Sequence, residues 1–370
     1  MRAALPLLAA AALSCGCAGK TGSAPAAPSL DPGLDLGDPD LTLGEPVEVE
    51  NLVVWPVLRI ADAPRPLAAP ARYLPLDDAL RAGDARVLEK GEVDELVIVN
   101  DGELPVLCLS GEVLEGGQQD RIVAEDVVIQ PGETAPLASF CVERGRWHTE
   151  AGDASGGRAF RSAELLVAGD VKAAAQLTSD QGQVWAGVAR VQQANAVRSD
   201  TETYVALRDS EEVQARVEER ASRVLAALRR VEGAVGLVAA VDLGEESEFV
   251  TGEIFGDAAL CAAYRDKLVR AFALDSLSGG GNPARVPAEQ TLGGLGYSGQ
   301  ALLESDTFSL GSLALSAAAR PSATAGGIAR PRPGIEVVLI GESTIEAASS
   351  GLEHVHRTLY KRRAPSGEDE

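Results

Sequence analysis

The chain has 370 residues, of which 45% are apolar but only 4% aromatic, so its core must be built mainly from Val, Leu and Ala. Lysine and arginine total 33 against 55 aspartates and glutamates, which gives a formal net charge of −22 at pH 7. A surface this acidic repels phosphate backbones and anionic headgroups, and no nucleic-acid partner is expected.

The first 17 residues have the pattern of an export signal. Arg2 precedes the apolar run Ala3–Leu13, which is too short to span a membrane as a helix. Two cysteines follow, each after a small residue, as in the lipobox of bacterial lipoproteins, whose cysteine is acylated and becomes the first mature residue. The pattern predicts a lipid anchor at Cys17, or at Cys15, in the bacterial cell envelope. An ordinary cleaved signal peptide is the alternative.

Composition divides the rest of the chain into three parts. Residues 18–46 are rich in Ala, Pro, Gly and Asp without apolar periodicity, which predicts a disordered tether. Residues 47–360 are predicted to form a single α+β domain, in which an antiparallel β-rich part at 47–147 packs with a helix-rich part at 148–360. Residues 361–370 are predicted to be a charged, frayed tail.

The β-rich part is predicted from short apolar runs separated by Gly, Pro, Asn and Asp. A strand begins near Val47, a short helix covers Tyr73–Leu80, and a strand covers Ala85–Glu89. Four further runs predict consecutive strands of a small antiparallel sheet: Leu96–Val99, Leu104–Leu109, Ile122–Ile129 and Ala135–Val142.

Apolar residues at helical spacing dominate after a predicted polar loop, His148–Arg158. Ser179 is predicted to cap a helix through Ala194, and Ser210 a second helix that ends before Gly233. A strand pair and a third helix, capped by Asp257, follow. The remaining predictions are strands at Val235–Val241, Glu248–Phe255, Phe308–Leu315 and Ile335–Ile340, an irregular stretch at Ser276–Gly299 and a loop at Ala319–Pro333.

Two polar connections of the β-rich part form the candidate functional site, because loops on a rigid sheet commonly carry function. Gly111–Arg121 contains three glycines among charged and amide side chains, and Glu143–Trp147 contains two arginines and a tryptophan. Each follows a predicted strand of a meander, which places both at one end of the sheet. Six side chains are therefore expected to converge: Glu112, Gln119, Arg121, Glu143, Arg146 and Trp147.

These residue types suit a nucleotide-like or sugar-like anionic ligand, since arginine binds phosphate or carboxylate, glutamate can bind ribose hydroxyls and tryptophan can stack on a base or sugar. The alternative is structural: Arg121 and Arg146 pair with Glu112 and Glu143, while Trp147 fills an edge of the core. The pattern identifies no reaction. It contains neither a P-loop nor a dinucleotide-binding fingerprint, and no cofactor is predicted.

Histidine and cysteine suggest two further kinds of chemistry. His354 and His356 lie two apart on a terminal strand, and His148 is close to the arginines, but no carboxylate or cysteine stands beside them at ligand spacing. Solvated histidines and no metal site are therefore expected. Cys141 is interpreted as a buried apolar residue, as a disulfide partner of Cys108, or as a nucleophile activated by the nearby arginines.

Several segments, in this order, resemble one family, the ADP-ribosylglycohydrolase- and rhodanese-phosphatase-associated protein domain. They are Asn51–Leu58 (NLVVWPVL), Tyr73–Leu80 (YLPLDDAL), Gly111–Arg121 (GEVLEGGQQDR), Cys141–Trp147 (CVERGRW), Gln183–Trp185 (QVW) and Val235–Phe255. The resemblance covers most of the chain from Val47 to Phe272. It implies a link to ADP-ribose or NAD processing.

The glycine loop departs from the family pattern at two positions. Gln118 stands where the family has lysine, and Asp120 where it has asparagine, so the loop is two charge units more negative and a phosphate contact there is weakened. The predicted function is an envelope lipoprotein whose domain binds a nucleotide-like or sugar-like anionic ligand, as an enzyme or without catalysis. The alternative is a structural or protein-interaction module of the cell envelope.

Overall fold

The computed structural model describes residues 36, 40–60, 72–89, 95–146, 159–244, 247–279, 319–324, 335–347 and 353–365. The predicted signal at 1–17, the loop His148–Arg158, the strand Phe308–Leu315 and the site residue Trp147 lie outside these ranges. The described residues combine helices with antiparallel sheets, which confirms the predicted α+β class. None of their helices is long and apolar enough to cross a membrane.

Seventeen strands are present in the described residues: β1 (Leu41–Leu43), β2 (Val47–Val49), β3 (Leu52–Arg59), β4 (Leu74–Pro75), β5 (Ala85–Glu89), β6 (Glu95–Asn100), β7 (Val106–Cys108), β8 (Glu112–Gly116), β9 (Arg121–Val123), β10 (Val127–Ile129), β11 (Thr134–Cys141), β12 (Phe160–Leu166), β13 (Gly236–Gly244), β14 (Ser247–Phe255), β15 (Ala319–Thr324), β16 (Ile335–Ala347) and β17 (Glu353–Pro365). The helices in the same ranges are α1 (Leu76–Ala82), α2 (Gly169–Ala173), α3 (Gln181–Ala194), α4 (Ala206–Asp209), α5 (Glu211–Leu228) and α6 (Ala258–Gly279), and a π-helical segment, Ala174–Thr178, continues α2.

The strands of this part of the chain form three sheets. The largest has the order β1-β3-β13-β14-β17-β16-β15, with β2 also paired to β3, so it joins the two ends of the domain. A six-stranded sheet has the order β12-β8-β9-β11-β6-β5, and a three-stranded sheet has the order β10-β7-β4. Apart from the parallel pair β4 and β7, the pairings found in the described ranges are antiparallel.

The glycine loop is a β-hairpin rather than an irregular connection. Val113 and Leu114 of β8 are buried and pair with Ile122 and Arg121 of β9. The predicted strand Ile122–Ile129 is divided between β9 and β10, which belong to different sheets. The chain leaves β9 in a bend where the buried carboxylate of Asp126 accepts the backbone N–H of Ser110 at 2.8 Å.

Several predicted boundaries differ from the observed ones. Strand β1 lies within the predicted tether, β15 lies within the predicted loop after Ala319, and β17 continues into the predicted tail as far as Pro365. Helix α6 passes through Ser276, where an irregular stretch was expected. Backbone pairing and packing with distant elements order these segments, which composition alone does not reveal.

Helix α5 follows its predicted pattern. The hydroxyl of Ser210 accepts the N–H of Val213, and the buried face consists of Val213, Val217, Ala221, Val224, Leu225 and Leu228. The cap of α3 differs, because Asp180 accepts the N–H of Gln183 at 2.9 Å while Ser179 adopts a left-handed conformation with φ of 50°. Helices α5 and α6 pack together, and α6 also packs on β13 in the main core.

Candidate functional site

The turn between β8 and β9 is shaped by two glycines with positive φ, Gly116 at 130° and Gly117 at 56°. A side chain on Gly117 would overlap the ring of Phe160. Because both positions lack a Cβ atom, Phe160 at the start of β12 packs directly over the turn. The turn therefore presents Gln119 and Asp120 from a fixed backbone.

Arg121 leaves this turn toward the interior and is fully buried. Its Nη2 atom lies 3.2 Å from Oε1 of Glu89, and Nη1 donates to Oε1 of Gln119 at 3.4 Å. The other oxygen of Glu89 accepts the backbone N–H of Gln118 at 2.9 Å. Among the described residues, Nε of Arg121 has no hydrogen-bond acceptor. The charge of Arg121 is thus compensated by Glu89, from β5, and not by Glu112.

Arg146, at the end of the second polar connection, donates hydrogen bonds to four acceptors. Nε donates to Oε2 of Glu143 at 2.7 Å, and Nη2 donates to Oδ1 of Asp120 at 2.8 Å. The carbonyl oxygens of Gly117 and Gly116 accept further bonds from Nη1 and Nη2 at 3.3 and 3.4 Å. Arg146 therefore ties the glycine turn to the end of β11.

Gln119 links the two arginines, since its Nε2 donates to the carbonyl oxygen of Glu143 at 2.7 Å while its Oε1 accepts from Arg121. The structure thus brings together four of the six predicted residues. We call this group, with its partners, the arginine network: Glu89, Gln119, Asp120, Arg121, Glu143 and Arg146. Asp120 was missed as a candidate, although the sequence shows it replacing the family's asparagine.

Three members of the arginine network, Asp120, Glu143 and Arg146, line a cleft of about 530 Å³. The Thr203 hydroxyl, before α4, donates to Oδ2 of Asp120 at 2.6 Å, and Phe160 contributes an apolar surface. Of the described residues, four carboxylates but only two guanidinium groups line the cleft: Glu115, Asp120, Glu143, Asp209, Arg146 and Arg161. The lining is therefore acidic on balance.

The two inner carboxylates of the cleft differ in acidity. Burial raises the pKa of Asp120, and the hydrogen bonds from Thr203 and Gly116 only partly oppose it. Burial also acts on Glu143, but Arg146 and the Asp120 backbone N–H outweigh it and the pKa is lowered. Such a pair offers one group that accepts hydrogen bonds at neutral pH and a second that takes up a proton more readily.

Glu112 lies apart from the arginine network, with its side chain directed to helix α6. Its Oε1 atom is 2.7 Å from Nζ of Lys267, and its Oε2 atom accepts the Leu109 N–H at 2.8 Å. Lys267 also contacts Asp77, so these three residues define the Lys267 cluster. Burial raises the pKa of Glu112 to about 7 against the attraction of Lys267.

A second buried group, the His356 cluster, consists of Asp126, Lys172, Glu253 and His356. His356 was predicted to be solvated on a terminal strand, but it is fully buried between Asp126 and Glu253. The prediction was wrong because β17 lies inside the largest sheet, between β14 and β16. The two acids and the lysine carried no signal in the sequence, since they come from three segments far apart in the chain.

The cysteines and potential metal ligands are placed as follows. Cys108 and Cys141 are buried in β7 and β11, no disulfide joins them, and burial raises the pKa of the Cys108 thiol. The backbone of Cys141 exchanges two hydrogen bonds, both of 2.8 Å, with the side chain of Gln181. Within the described ranges, no three His, Cys, Asp or Glu side chains are grouped so as to hold a metal ion.

Fold and site together define an α+β domain with a charged cleft at the β8–β9 turn. The chain belongs to the ARG and Rhodanese-Phosphatase-superfamily-associated Protein domain family, whose model matches residues 40–304. This match confirms the resemblance and extends it beyond Phe272. No curated protein and no solved structure matches the chain.

Proposed function

We propose that this protein is a bacterial envelope lipoprotein whose domain binds a nucleotide-like or sugar-like ligand in the cleft beside Arg146. The observation that carries the proposal is the cleft itself, in which Asp120, Glu143, Arg146 and Thr203 face about 530 Å³ of space. Small-molecule sites have volumes of about 300–1,000 Å³ and a few fixed polar groups. The family's association with ADP-ribosylglycohydrolases points to the same ligand class.

The charges of the cleft decide which part of such a ligand would lie inside. Arg146 already donates to two carboxylates and two carbonyl groups, so little of its hydrogen-bonding capacity remains for a phosphate. The other inner groups are Asp120 and Glu143, which repel anions and accept hydrogen bonds from hydroxyls. A sugar ring would therefore occupy the interior. Any anionic group of the ligand would lie at the rim near Arg161, whose side chain is 75% exposed.

Calorimetric titration of the purified domain with ribose, ADP-ribose, AMP and inorganic phosphate tests this assignment. We expect a sugar-bearing compound to bind and phosphate alone not to bind. Arg146→Lys keeps the charge but loses the planar contacts, and it should weaken binding at least about tenfold. Arg86→Lys, in an exposed pair with Asp101, is the matched control and should bind as the wild type does. Binding of phosphate alone, or of no compound, would contradict the proposal.

The envelope anchor is tested separately, because it depends on the N-terminal sequence and not on the cleft. Mass spectrometry of the mature protein should find an acylated N-terminal cysteine at position 17 or 15. Cys17→Ala and Cys15→Ala, made one at a time, identify which cysteine is used. An unmodified mature terminus at another residue would exclude the anchor and leave the ligand proposal untouched.

A structural or protein-interaction module without catalysis is the second candidate. It is favoured by the ion pairs of the two arginines, Arg121 with Glu89 and Arg146 with Glu143 and Asp120. In that case Arg146→Lys would lower the stability of the domain, and none of the four compounds would bind.

A further inference from the structure

The His356 cluster joins four segments that are far apart in the sequence. Nδ1 of His356 lies 2.8 Å from Oδ2 of Asp126, in the bend before β10. Nε2 lies 3.0 Å from Oε2 of Glu253 on β14, close enough for an ion pair although poorly aligned for a hydrogen bond. Oε1 of Glu253 accepts from Nζ of Lys172, on α2, at 2.7 Å. The cluster therefore connects the largest sheet to α2 and to the three-stranded sheet.

The cluster is closed to water. The side chains of His356 and Asp126 are 0% exposed, and those of Glu253 and Lys172 are 3% and 4% exposed. The ring of Phe255 packs 4.7 Å from the imidazole. Three neighbouring polar groups donate hydrogen bonds within the fold: Thr358 donates to Glu253, Ser110 donates its N–H to Asp126, and Tyr360 donates to Gln176. Solvent cannot compensate a change of charge in this position.

The proton on His356 decides the net charge of the cluster. Asp126 and Glu253 contribute two negative charges, whereas Lys172 contributes only one positive charge. With a protonated imidazole the four charges balance, and without that proton one negative charge stays buried and uncompensated. An unpaired charge in the interior is strongly destabilising.

We propose that the His356 cluster is a pH-sensitive lock, in which the protonated imidazole holds β17 and β14 of the largest sheet against the Asp126 bend, and loss of the proton weakens this junction. The proposal is independent of the function assigned to the cleft.

The direction of the pH dependence follows from the pKa shifts of the three titrating groups inside the cluster. Glu125, next to Asp126, is a further acid outside it, and burial and the charge of Asp126 raise the pKa of Glu125. Burial by itself lowers the pKa of His356, but Asp126 and Glu253 outweigh it and the pKa is raised. Burial acts to raise the pKa values of Asp126 and Glu253, but His356 and Lys172 outweigh it and both are lowered. The histidine contribution is complete below about pH 6.5 and is lost as the pH rises through the raised value. The carboxylate contributions are lost as the pH falls through the lowered values.

Nuclear magnetic resonance of histidine-labelled protein between pH 5 and 9 measures the protonation of His356 directly, because the chain contains only three histidines. His148→Gln and His354→Gln assign the signals of those two residues and leave that of His356. We expect His356 to titrate above the ordinary value of about 6.5, because Asp126 and Glu253 raise its pKa. A His356 that titrates at or below the ordinary value would overturn the proposal.

Thermal unfolding over the same pH range tests the consequence for stability. His356→Gln should lower the Tm at pH 6 by at least about 5 °C, because the buried charge is then always uncompensated. The difference in Tm between the variant and the wild type should narrow as the pH rises, because His356 of the wild type then loses its proton. His148→Gln leaves the cluster unchanged and should parallel the wild type.

The double variant His356→Gln/Glu253→Gln removes one acid together with the histidine and restores the charge balance. It should recover part of the lost Tm and show little pH dependence, and it serves as the comparison if the single variant does not fold. A gap between His356→Gln and the wild type that is constant from pH 6 to 9, or a double variant with the pH dependence of the wild type, would overturn the proposal.

Discussion

The arginine network and the His356 cluster contain the same kinds of charged groups but differ in their access to water. The side chain of Arg146 is 23% exposed and faces an open cleft, whereas His356 and Asp126 are 0% exposed. Solvent or a ligand can reach Arg146, although Arg121 of the same network is 0% exposed, and only protein atoms reach the His356 cluster. Exposure of the charges, more than their identity, separates a candidate binding site from a structural junction.

The segment Ser110–Glu112 is buried and contacts the buried charge clusters, not the cleft. The N–H of Ser110 binds Asp126, and a Cβ atom on Gly111 would lie 3.3 Å from Cγ of Lys172, so both residues support the His356 cluster. Glu112 belongs to the Lys267 cluster. The first residues of the predicted glycine loop therefore stabilise the fold, and the loop reaches the cleft from Glu115 onward.

The largest expected loss of stability follows from removing a buried cation. Lys267→Met leaves Glu112 and Asp77 without their cation, and the free energy of unfolding should fall by about 3–5 kcal/mol. Arg270→Met is the control on the same helix, because Arg270 forms a half-exposed pair with Glu218 and should cost much less. Urea unfolding measures both. Equal losses would show that burial does not separate the two kinds of ion pair.

A smaller loss is expected in the cleft. Arg146→Ala leaves Asp120 and Glu143 without their shared donor, but water can enter, and the cost should be about 1–3 kcal/mol with the fold intact by circular dichroism. The same variant should lose ligand binding if the cleft is a site. Arg208→Ala, which removes a partner of Glu115 at the rim, should cost less on both measures. If Arg146→Ala destabilises the domain as much as Lys267→Met, the arginine network is structural.

The smallest expected loss of stability comes from replacing glycines that have positive φ. Comparing two such glycines separates the cost of backbone strain from the cost of side-chain crowding. Gly111 and Gly132 both have positive φ, 84° and 74°, so alanine at either position should cost on the order of 1 kcal/mol. Nothing lies within 4 Å of a Cβ atom on Gly132, whereas a Cβ atom on Gly111 would lie 3.2 Å from Cγ2 of Val167 and 3.3 Å from Cγ of Lys172. Gly111→Ala should therefore cost more, because Lys172 is held by Glu253. Identical unfolding midpoints in urea would contradict this role of Gly111.

Local features of the chain were predictable because the responsible residues are neighbours in sequence. Helix α5, its cap at Ser210 and its buried face follow from apolar spacing and one hydroxyl group. The two polar connections were expected to lie together, and they do, but the meander predicted for them was wrong. Strand β7, which precedes the first connection, belongs to the three-stranded sheet, and the connections meet because β9 pairs with β11 and places Arg121 opposite Cys141. Strand β8 was missed, because it contains only two apolar residues, Val113 and Leu114, which are adjacent and flanked by glutamates.

The partners of the charged residues were beyond sequence reasoning. Lys267 lies 155 positions from Glu112, and His356 lies 230 positions from Asp126. Spacing along the chain carries no information about such pairs, and an isolated acid or histidine in a strand has the same pattern whether its strand lies at an edge or in the interior.

The sequence by itself determined the α+β class, helix α5 with its cap at Ser210, the family and the two polar connections that meet beside Arg146, because each depends on residues close together in the chain. The tertiary structure alone decided that Glu112 faces Lys267, that Glu89 neutralises Arg121 and that His356 is buried between two acids. The physical reason is that the state of a charge depends on what excludes water from it, and at these positions the excluding atoms come from β5, β14, β17 and α6, segments distant in sequence.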